Sequence, residues 1–310
     1  MDPHAPLDCA IVGAGPAGLI ASVYLGRFRR VIRVFDAGGS RASWIPTSHN
    51  LPGFPQGIGG ADFLARLREQ AARYGAQVEA VTIDRIERHE DGFLLHAGER
   101  AWQARHVILA TGAADIEPAL PNLPDAVRRG LIRHCPICDG YEVIGQRVAV
   151  IGSGRKLALE ASFLRDYTEQ LQVVGLPPGP QLPSSERRLL EARGVRVFDL
   201  PVIDVSIEGQ RIVALRLADG SVLQVDTVYS ALGSVVRSDL ARALGADALR
   251  NGDLQVDRKN MATSVPGLYA IGDVVNGLSQ ISVAAGHAAL AATAVHHRLR
   301  KREMLALRSG

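Results

Sequence analysis

Two glycine turns, each between an apolar strand and a helix, constrain the fold of this 310-residue chain most. The first turn, Gly13 to Gly18, has the Gly-x-Gly-x-x-Gly spacing, and a helix is predicted over 16–27. A second apolar segment, Val31 to Phe35, ends at Asp36. An acid at that point can accept a hydrogen bond from a ribose hydroxyl. The pattern predicts a βαβ unit that binds a dinucleotide, with the pyrophosphate on the helix N-terminus.

A second turn of the same kind begins at Gly152, after the apolar run Arg147 to Ile151. The third small position of the motif holds Leu157 instead of Gly or Ala, and this bulk is expected to push helix and strand apart. The next predicted strand, 171–174, ends without an acid and leads into a loop over 175–183 with no charge. Two such units predict an α/β fold with two Rossmann-like dinucleotide-binding domains.

The composition fits an ordinary globular chain, since 47% of the residues are hydrophobic and 22% are charged. The net charge of +3 gives no argument for a nucleic-acid or membrane partner, and neither is expected. The basic residues at 298–302 are interpreted as a solvated helix end, more readily than as an interaction tail. Residues 1–6 lack the pattern of a leader and no long apolar span occurs, so a cytoplasmic location is expected.

Two of the three cysteines, Cys135 and Cys138, form a Cys-x-x-Cys pair that Asp139 follows directly. Such a pair stores two electrons as a disulfide and has a lowered thiol pKa. Zinc needs four ligands, and only His134 and the two sulfurs are local, so no metal is expected. Asp139 can carry protons if burial raises its pKa. His134 is either a second proton carrier or a surface-loop histidine, and the second interpretation is favoured. Cys9 is expected to be a small buried hydrophobe.

Four motifs occur in one order along the chain: Gly13–Gly18, Ala110–Gly112, Cys135–Gly140 and Thr263–Asp273. On these residues the chain resembles the low-molecular-weight thioredoxin reductases, which are two-domain flavoproteins, over about residues 7–300. The resemblance implies an FAD-binding domain in two pieces, 1–113 and 244–310. An NAD(P)H-type domain, 114–243, would be inserted between them and would carry the cysteines. It also implies a homodimer and a rotation between the domains.

The resemblance also assigns FAD contacts to the first glycine turn and to positions spread along the first domain. They are Gly13, Gly15, Pro16, Ala17, Gly18, Asp36, Arg41, Asn50, Ile83, Thr111, Gly112, Gly272, Asp273, Gln280 and Ile281. Asp273 would hold the ribityl chain. Gln280 and Ile281 would lie at the flavin, at the start of the last helix, whose dipole can stabilise negative charge on the reduced ring.

By the same resemblance, Cys138 faces the flavin and Cys135 exchanges with the substrate disulfide. The expected function is an FAD-dependent thiol–disulfide oxidoreductase, acting on a thioredoxin-like protein or a small dithiol or disulfide. Two alternatives share this chemistry: a flavin-dependent dithiol oxidase, and a reductase fed by another donor such as a ferredoxin. Such oxidases often carry His where this chain has Asp139, which favours a reductase. A non-catalytic flavin-binding protein is the last alternative, and the intact cysteine pair argues against it.

The chain departs from the family where NADPH is normally recognised. The family carries a basic cluster after the second strand of the inserted domain, and arginine there holds the 2′-phosphate. Here that place is the uncharged loop 175–183. Together with Leu157, the loop argues against ordinary NADPH binding, so NADPH use stays open beside FAD. Arg155 and Lys156, in the second glycine turn, are placed either to meet a phosphate or to be solvated.

Overall fold

The structure is a computed structural model and describes residues 6–90, 92–120, 126, 129 and 131–309. It divides into two compact units, each described by itself below. The first unit comprises 1–43, 59–114 and 235–310, and the second comprises 44–58 and 115–234. The predicted α/β class is confirmed. The bounds predicted for the flavin and nucleotide domains stay a prediction, and the predicted lack of a leader falls on residues 1–5, outside the described residues.

The first unit is built from a mainly parallel sheet with helices. Its strands are β1 Leu7–Val12, β2 Ile32–Asp36, β3 Gln77–Ala80, β4 Arg85–His89, β5 Gly92–Ala97, β6 Arg100–Leu109 and β17 Leu268–Ala270. Its helices are α1 Pro16–Arg27, α2 Gly60–Arg73, α6 Asp239–Ala243 and α7 Ile281–Ser309. The strand order is β3-β2-β1-β6-β5-β4, and β17 pairs with β6 as well. Helix α1 packs against α7, so the glycine turn after β1 lies beside the last helix.

The second unit contains a parallel sheet, a small antiparallel sheet and short helices. Its strands are β8 Ile132–Arg133, β9 Val148–Gly152, β10 Leu171–Gly175, β11 Arg196–Phe198, β12 Val202–Glu208, β13 Arg211–Leu217, β14 Val222–Gln224 and β15 Thr227–Ser230. Its helices are α3 Pro136–Asp139, α4 Gly154–Leu164 and α5 Ser184–Ala192. The parallel order is β11-β10-β9-β15-β8, and β12-β13-β14 form the antiparallel sheet. The segments that connect the units, β7 Ala113–Asp115 and β16 Ser234–Val236, pair with each other.

Strand β9 shows why the second sheet is buried on both faces. Ala149 and Ile151 pack into one core cluster with residues of β12 and β13. Val148 and Val150 pack into another with Leu157 of α4. Alternate residues of a strand point to opposite faces, so an apolar run is needed where both faces are covered. Leu157 is completely buried in this second cluster.

The alternating pattern of residues 77–87 predicts one continuous strand, but the structure breaks it at 81–84. The first half, β3, pairs parallel with β2, whereas the second half, β4, pairs antiparallel with β5. One continuous strand cannot serve both neighbours, so the chain turns between them. Ile83 lies in this turn and is buried.

Candidate active site

The cysteine pair lies at the start of α3. Cys135 precedes the helix and forms a disulfide with Cys138, with an S–S distance of 2.04 Å. Pro136 begins the helix, where a proline's fixed φ suits the first turn and its missing N–H leaves no bond unmade. The Cys138 N–H donates to the Cys135 carbonyl at 2.9 Å. Cys135 and Cys138 therefore form a disulfide within one tight turn, and their redox role stays a prediction.

Gly140 closes this turn and has no room for a side chain. Its N–H donates to the Pro136 carbonyl at 2.9 Å. A Cβ at Gly140 would lie 2.6 Å from that same oxygen and 3.2 Å from the Tyr167 ring. The glycine of the Cys-x-x-Cys-Asp-Gly run is thus required by a close approach of the backbone.

Two neighbouring strands hold the Asp139 carboxylate. Strands β8 and β15 pair parallel and place Tyr229 opposite Arg133. The Tyr229 hydroxyl donates to Oδ1 of Asp139 at 2.7 Å, and Nη1 of Arg133 lies 3.1 Å from Oδ2. The sequence analysis missed Arg133 and Tyr229. The available signals were a charge just before the cysteines and the tyrosine of the short strand β15.

Burial and ion pairing act against each other at Asp139. Burial raises the pKa of the Asp139 carboxyl above its usual range, because a charge is disfavoured away from water. The positive charge of Arg133 and the hydrogen bond from Tyr229 lower this pKa, and the charge of Glu142 adds a smaller increase. Burial, and then the charge of Asp139, raise the pKa of Tyr229, so its hydroxyl stays neutral and donates. Burial has the largest effect, so the pKa of Asp139 is raised overall.

The first glycine turn has the shape of a dinucleotide cradle. Gly13 has φ of +109°, and a Cβ there would lie 2.3 Å from the Ala110 carbonyl oxygen. A Cβ at Gly18 would lie 1.9 Å from the Gly13 oxygen. Helix α1 begins at Pro16, its cap residue Gly15 provides no side chain, and its first turn contains no acid. The N-terminus of α1 carries the positive end of the helix dipole, and no acidic side chain of its first turn neutralises it. Such a helix end suits a pyrophosphate.

Further predicted FAD residues gather around this turn. Asp36 accepts a bond from the Gly38 N–H at 3.1 Å, and its other oxygen lies 3.1 Å from an Arg68 nitrogen. Arg41 and Asp273 form an ion pair at 3.1 Å. Asp36, at the end of β2, and Asp273, after β17, thus both have basic partners within the first unit.

The other predicted FAD residues are more scattered. Thr111 donates its hydroxyl to the Arg237 carbonyl at 2.6 Å, next to Gly112 in the same turn. Gln280 precedes α7 and its carbonyl accepts the Ala284 N–H at 2.9 Å, while Ile281 is the first residue of that helix. Asn50 lies in the second unit instead, where its amide nitrogen donates to the Ile137 carbonyl at 3.4 Å.

The chain itself covers the second glycine turn. The Gly154 N–H, at the start of α4, donates to the Pro180 carbonyl at 2.9 Å. The Leu176 N–H donates in turn to the Gly152 carbonyl at 3.4 Å. The loop folds back so tightly that a Cβ at Gly175 would lie 1.9 Å from the Pro180 nitrogen. A protein carbonyl therefore occupies a donor that a phosphate would use in an open turn of this kind.

The two basic residues of this turn differ in surroundings. Lys156 pairs with Glu160 one helical turn later at 3.6 Å, and Arg155 is exposed. Burial raises the pKa of Glu160 to about 7, and the charge of Lys156 opposes this increase. Lys156 thus has an acid partner, which the sequence analysis did not foresee.

The geometry agrees with what is known of similar proteins. The profile of the pyridine nucleotide-disulphide oxidoreductase family matches residues 7–288. The chain belongs to this family. It is 29% identical to a thioredoxin reductase of Mycolicibacterium smegmatis, over 92% of this chain and 94% of the relative. It is 28% identical to a thioredoxin reductase of Eremothecium gossypii, over 91% and 94%. The crystal structure of HlmI matches with a TM-score of 0.90 and 29% identity, over 98% of this chain and 96% of that one.

The family predicted from the motifs is therefore confirmed, and the chain is an oxidoreductase of thioredoxin reductase type. FAD is the cofactor of this group, and the first glycine turn fits it. Within the described residues, no cluster of His, Cys, Asp and Glu side chains is arranged to bind a metal ion. None of the described helices is both long and apolar enough to cross a membrane.

Proposed function

We propose that the protein is an FAD-dependent thiol–disulfide oxidoreductase whose Cys135–Cys138 pair exchanges electrons with a thioredoxin-like protein or a small disulfide. The observation that carries this proposal is the disulfide itself, placed one residue before a half-buried carboxylate. A homodimer and a cytoplasmic location rest on the family resemblance and stay predictions.

The cradle residues named above would hold the cofactor, with Gly13, Gly15 and Gly18 at the pyrophosphate and Asp36 at the ribose. Asp273, which Arg41 holds in place, would lie along the ribityl chain. FAD supplies or receives two electrons when it is bound. The remaining chemistry belongs to the chain's own side chains.

The substrate reaction is a pair of thiol–disulfide exchanges. With two electrons and two protons the Cys135–Cys138 bond becomes a dithiol. The Cys135 thiolate attacks one sulfur of the substrate disulfide, the substrate's S–S bond breaks, and its other sulfur leaves as a thiolate. The Cys138 thiolate then attacks Cys135, restores the internal disulfide and releases the second substrate thiolate. Asp139 accepts and returns the protons, because it directly follows Cys138 and burial raises the pKa of its carboxyl above the usual range.

An apolar surface next to the disulfide supports a macromolecular substrate. Ile137, between the two cysteines, is 50% exposed, and Tyr141 and Ile144 are 74% and 56% exposed. Exposed apolar side chains that cluster around a reactive group are typical of a docking surface. A thioredoxin-like partner would cover these side chains when its disulfide meets Cys135.

We further propose that NADPH does not feed this enzyme in the usual way. The bond from Gly154 to Pro180 supports this, since it fills a phosphate-binding donor of the turn. The uncharged loop supports it too, because a 2′-phosphate would find no arginine there. Electrons would then come from another reductant, or flow from a dithiol towards an oxidant as in a dithiol oxidase.

Replacing Cys138 by Ser tests the exchange reaction. The purified protein is reduced chemically without oxygen, freed of reductant, and mixed with the chromogenic disulfide DTNB. We expect the wild-type dithiol to release two thiolates as it returns to a disulfide, and two more thiolates where reduced FAD reduces that disulfide again. Cys138→Ser should release one and keep the other half of the reagent bound to Cys135, which mass spectrometry detects.

The matched control is Cys9→Ala. Cys9 is completely buried and its thiol pKa is raised by burial, so it should not react with the reagent. This variant should behave as the wild type does. A Cys138→Ser protein that still releases two thiolates and holds no adduct would contradict the proposed function.

A further inference from the structure

Both oxygens of the Asp139 carboxylate are occupied in the disulfide state. Tyr229 donates to Oδ1 at 2.7 Å, and Arg133 lies 3.1 Å from Oδ2. The same two side chains reach the Asp139 backbone carbonyl, from Tyr229 Oη at 3.1 Å and Arg133 Nη1 at 3.3 Å. They therefore fix both the carboxylate and the end of the helix that carries Cys138.

The supporting side chains come from a rigid part of the second unit. Tyr229 is completely buried, and its strand β15 pairs with β8 and with β9. Arg133 stands directly opposite it in the register. Groups held by a sheet keep their position better than groups on a loop, which is what an oriented proton carrier needs.

We propose that Arg133 and Tyr229 are positioning residues for the thiol–disulfide step, and that together they set the pH at which Asp139 gains and loses its proton. This inference rests on the proposed function and adds two residues to it. Neither residue touches the substrate, and both act through Asp139.

The charged and titratable groups around Asp139 determine the direction of the effect. They are Arg133 from β8, Tyr229 from β15, Glu142 from the turn after α3, and His134 and Tyr167 next to the same turn. Arg133 and Tyr229 favour the carboxylate, whereas Glu142 disfavours it. Removing either favourable partner should leave Asp139 protonated up to a higher pH.

Replacing Tyr229 by Phe tests the inference, because the ring is kept and only the hydroxyl is lost. The rate at which the reduced protein reacts with DTNB is measured against pH. One part of this curve of rate against pH should follow the protonation of Asp139. In Tyr229→Phe we expect the midpoint of that limb of the curve to move up by about one pH unit. Asp139→Asn should abolish that limb, which separates it from any titration of His134 or of the reagent.

Tyr167→Phe is the control, since the Tyr167 ring lies near Gly140 on the same turn. It should keep the wild-type midpoint. Arg133→Gln should move the midpoint in the same direction as Tyr229→Phe, and Arg133→Lys should move it back towards the wild type because it restores the positive charge.

Two results would overturn the inference: a wild-type midpoint in Tyr229→Phe, or a loss of rate at every pH without a change of midpoint, which a purely structural role would give. Failure of the proposed function has a different signature. In that case the reduced wild-type protein itself would not release two thiolates, whatever the variants did.

Discussion

The first glycine turn requires a residue without a Cβ atom at position 18. The hydrogen of this glycine faces the Gly13 carbonyl, and a Cβ there would lie 1.9 Å from that oxygen and 3.2 Å from the Ala110 side chain. The position thus brings α1 close to the turn after β1. This close approach exposes the helix end on which the FAD pyrophosphate would lie.

We predict that Gly18→Ala lowers the amount of FAD bound, because the backbone of the turn must move to admit the methyl group. The ratio of flavin absorbance to protein absorbance after purification measures this. Gly286→Ala is the control, since that glycine also lies in a helix and lacks a positive φ, but has open space around it. A full complement of FAD in Gly18→Ala would show that the turn does not form the cradle.

At the residue scale the sequence predicts the residues of the motifs, but it does not predict which side chains contact them. Cys135, Cys138 and Asp139 are adjacent in the chain, so their chemistry could be predicted. Tyr229 joins them only because β15 lies beside β8, a contact between segments far apart in sequence. No local pattern encodes that pairing, and therefore the groups that hold Asp139 could not be predicted.

Helix α7 extends beyond the end that the sequence indicates. The basic residues at 298–302 were interpreted as the end of this helix, but it continues to Ser309. Its buried residues run from Ala284 to Leu299, and the side chains over 300–308 are exposed. Residues such as Lys, Arg, Glu, Met, Leu and Ala have high helix propensity, so the helix extends without burial.

Two leucines of α7 give a matched test of this difference. Leu299 is 3% exposed and Leu307 is 84% exposed. Leu299→Ala should lower the free energy of unfolding by about 2–5 kcal/mol, because it leaves a cavity. Leu307→Ala should change it by less than about 0.5 kcal/mol. Denaturant unfolding of both variants measures the contrast, and similar losses would mean that the last turns are packed against something in solution.

The uncharged loop 175–183 could be predicted from the sequence only in part. Its lack of charge was visible, and so was the family position that it occupies. Its hydrogen bond to Gly154 was not, because the bond depends on how Gly175 and Pro180 fold back onto the turn. The loop 175–183 therefore lacks an arginine for a 2′-phosphate, and its Pro180 carbonyl also accepts the Gly154 N–H.

At the scale of the whole molecule, two similar βαβ units differ in one respect. The helix after the first glycine turn begins with no capping side chain and no acid, and the residues around it suit FAD. The helix after the second begins with a donor already bound to the protein's own carbonyl. The fold thus keeps the architecture of the family, and the second unit contributes its disulfide, while its loss of ordinary nucleotide binding is our proposal.

Anaerobic mixing of the purified FAD protein with reductants, followed by the flavin absorbance band, tests this account most directly. We predict that a small dithiol or a reduced thioredoxin bleaches the band through Cys135 and Cys138, and that NADPH leaves it unchanged over the same time. Dithionite provides the fully reduced reference. Rapid bleaching by NADPH would contradict the account, because it would mean that the Gly154–Pro180 contact opens to admit the nucleotide.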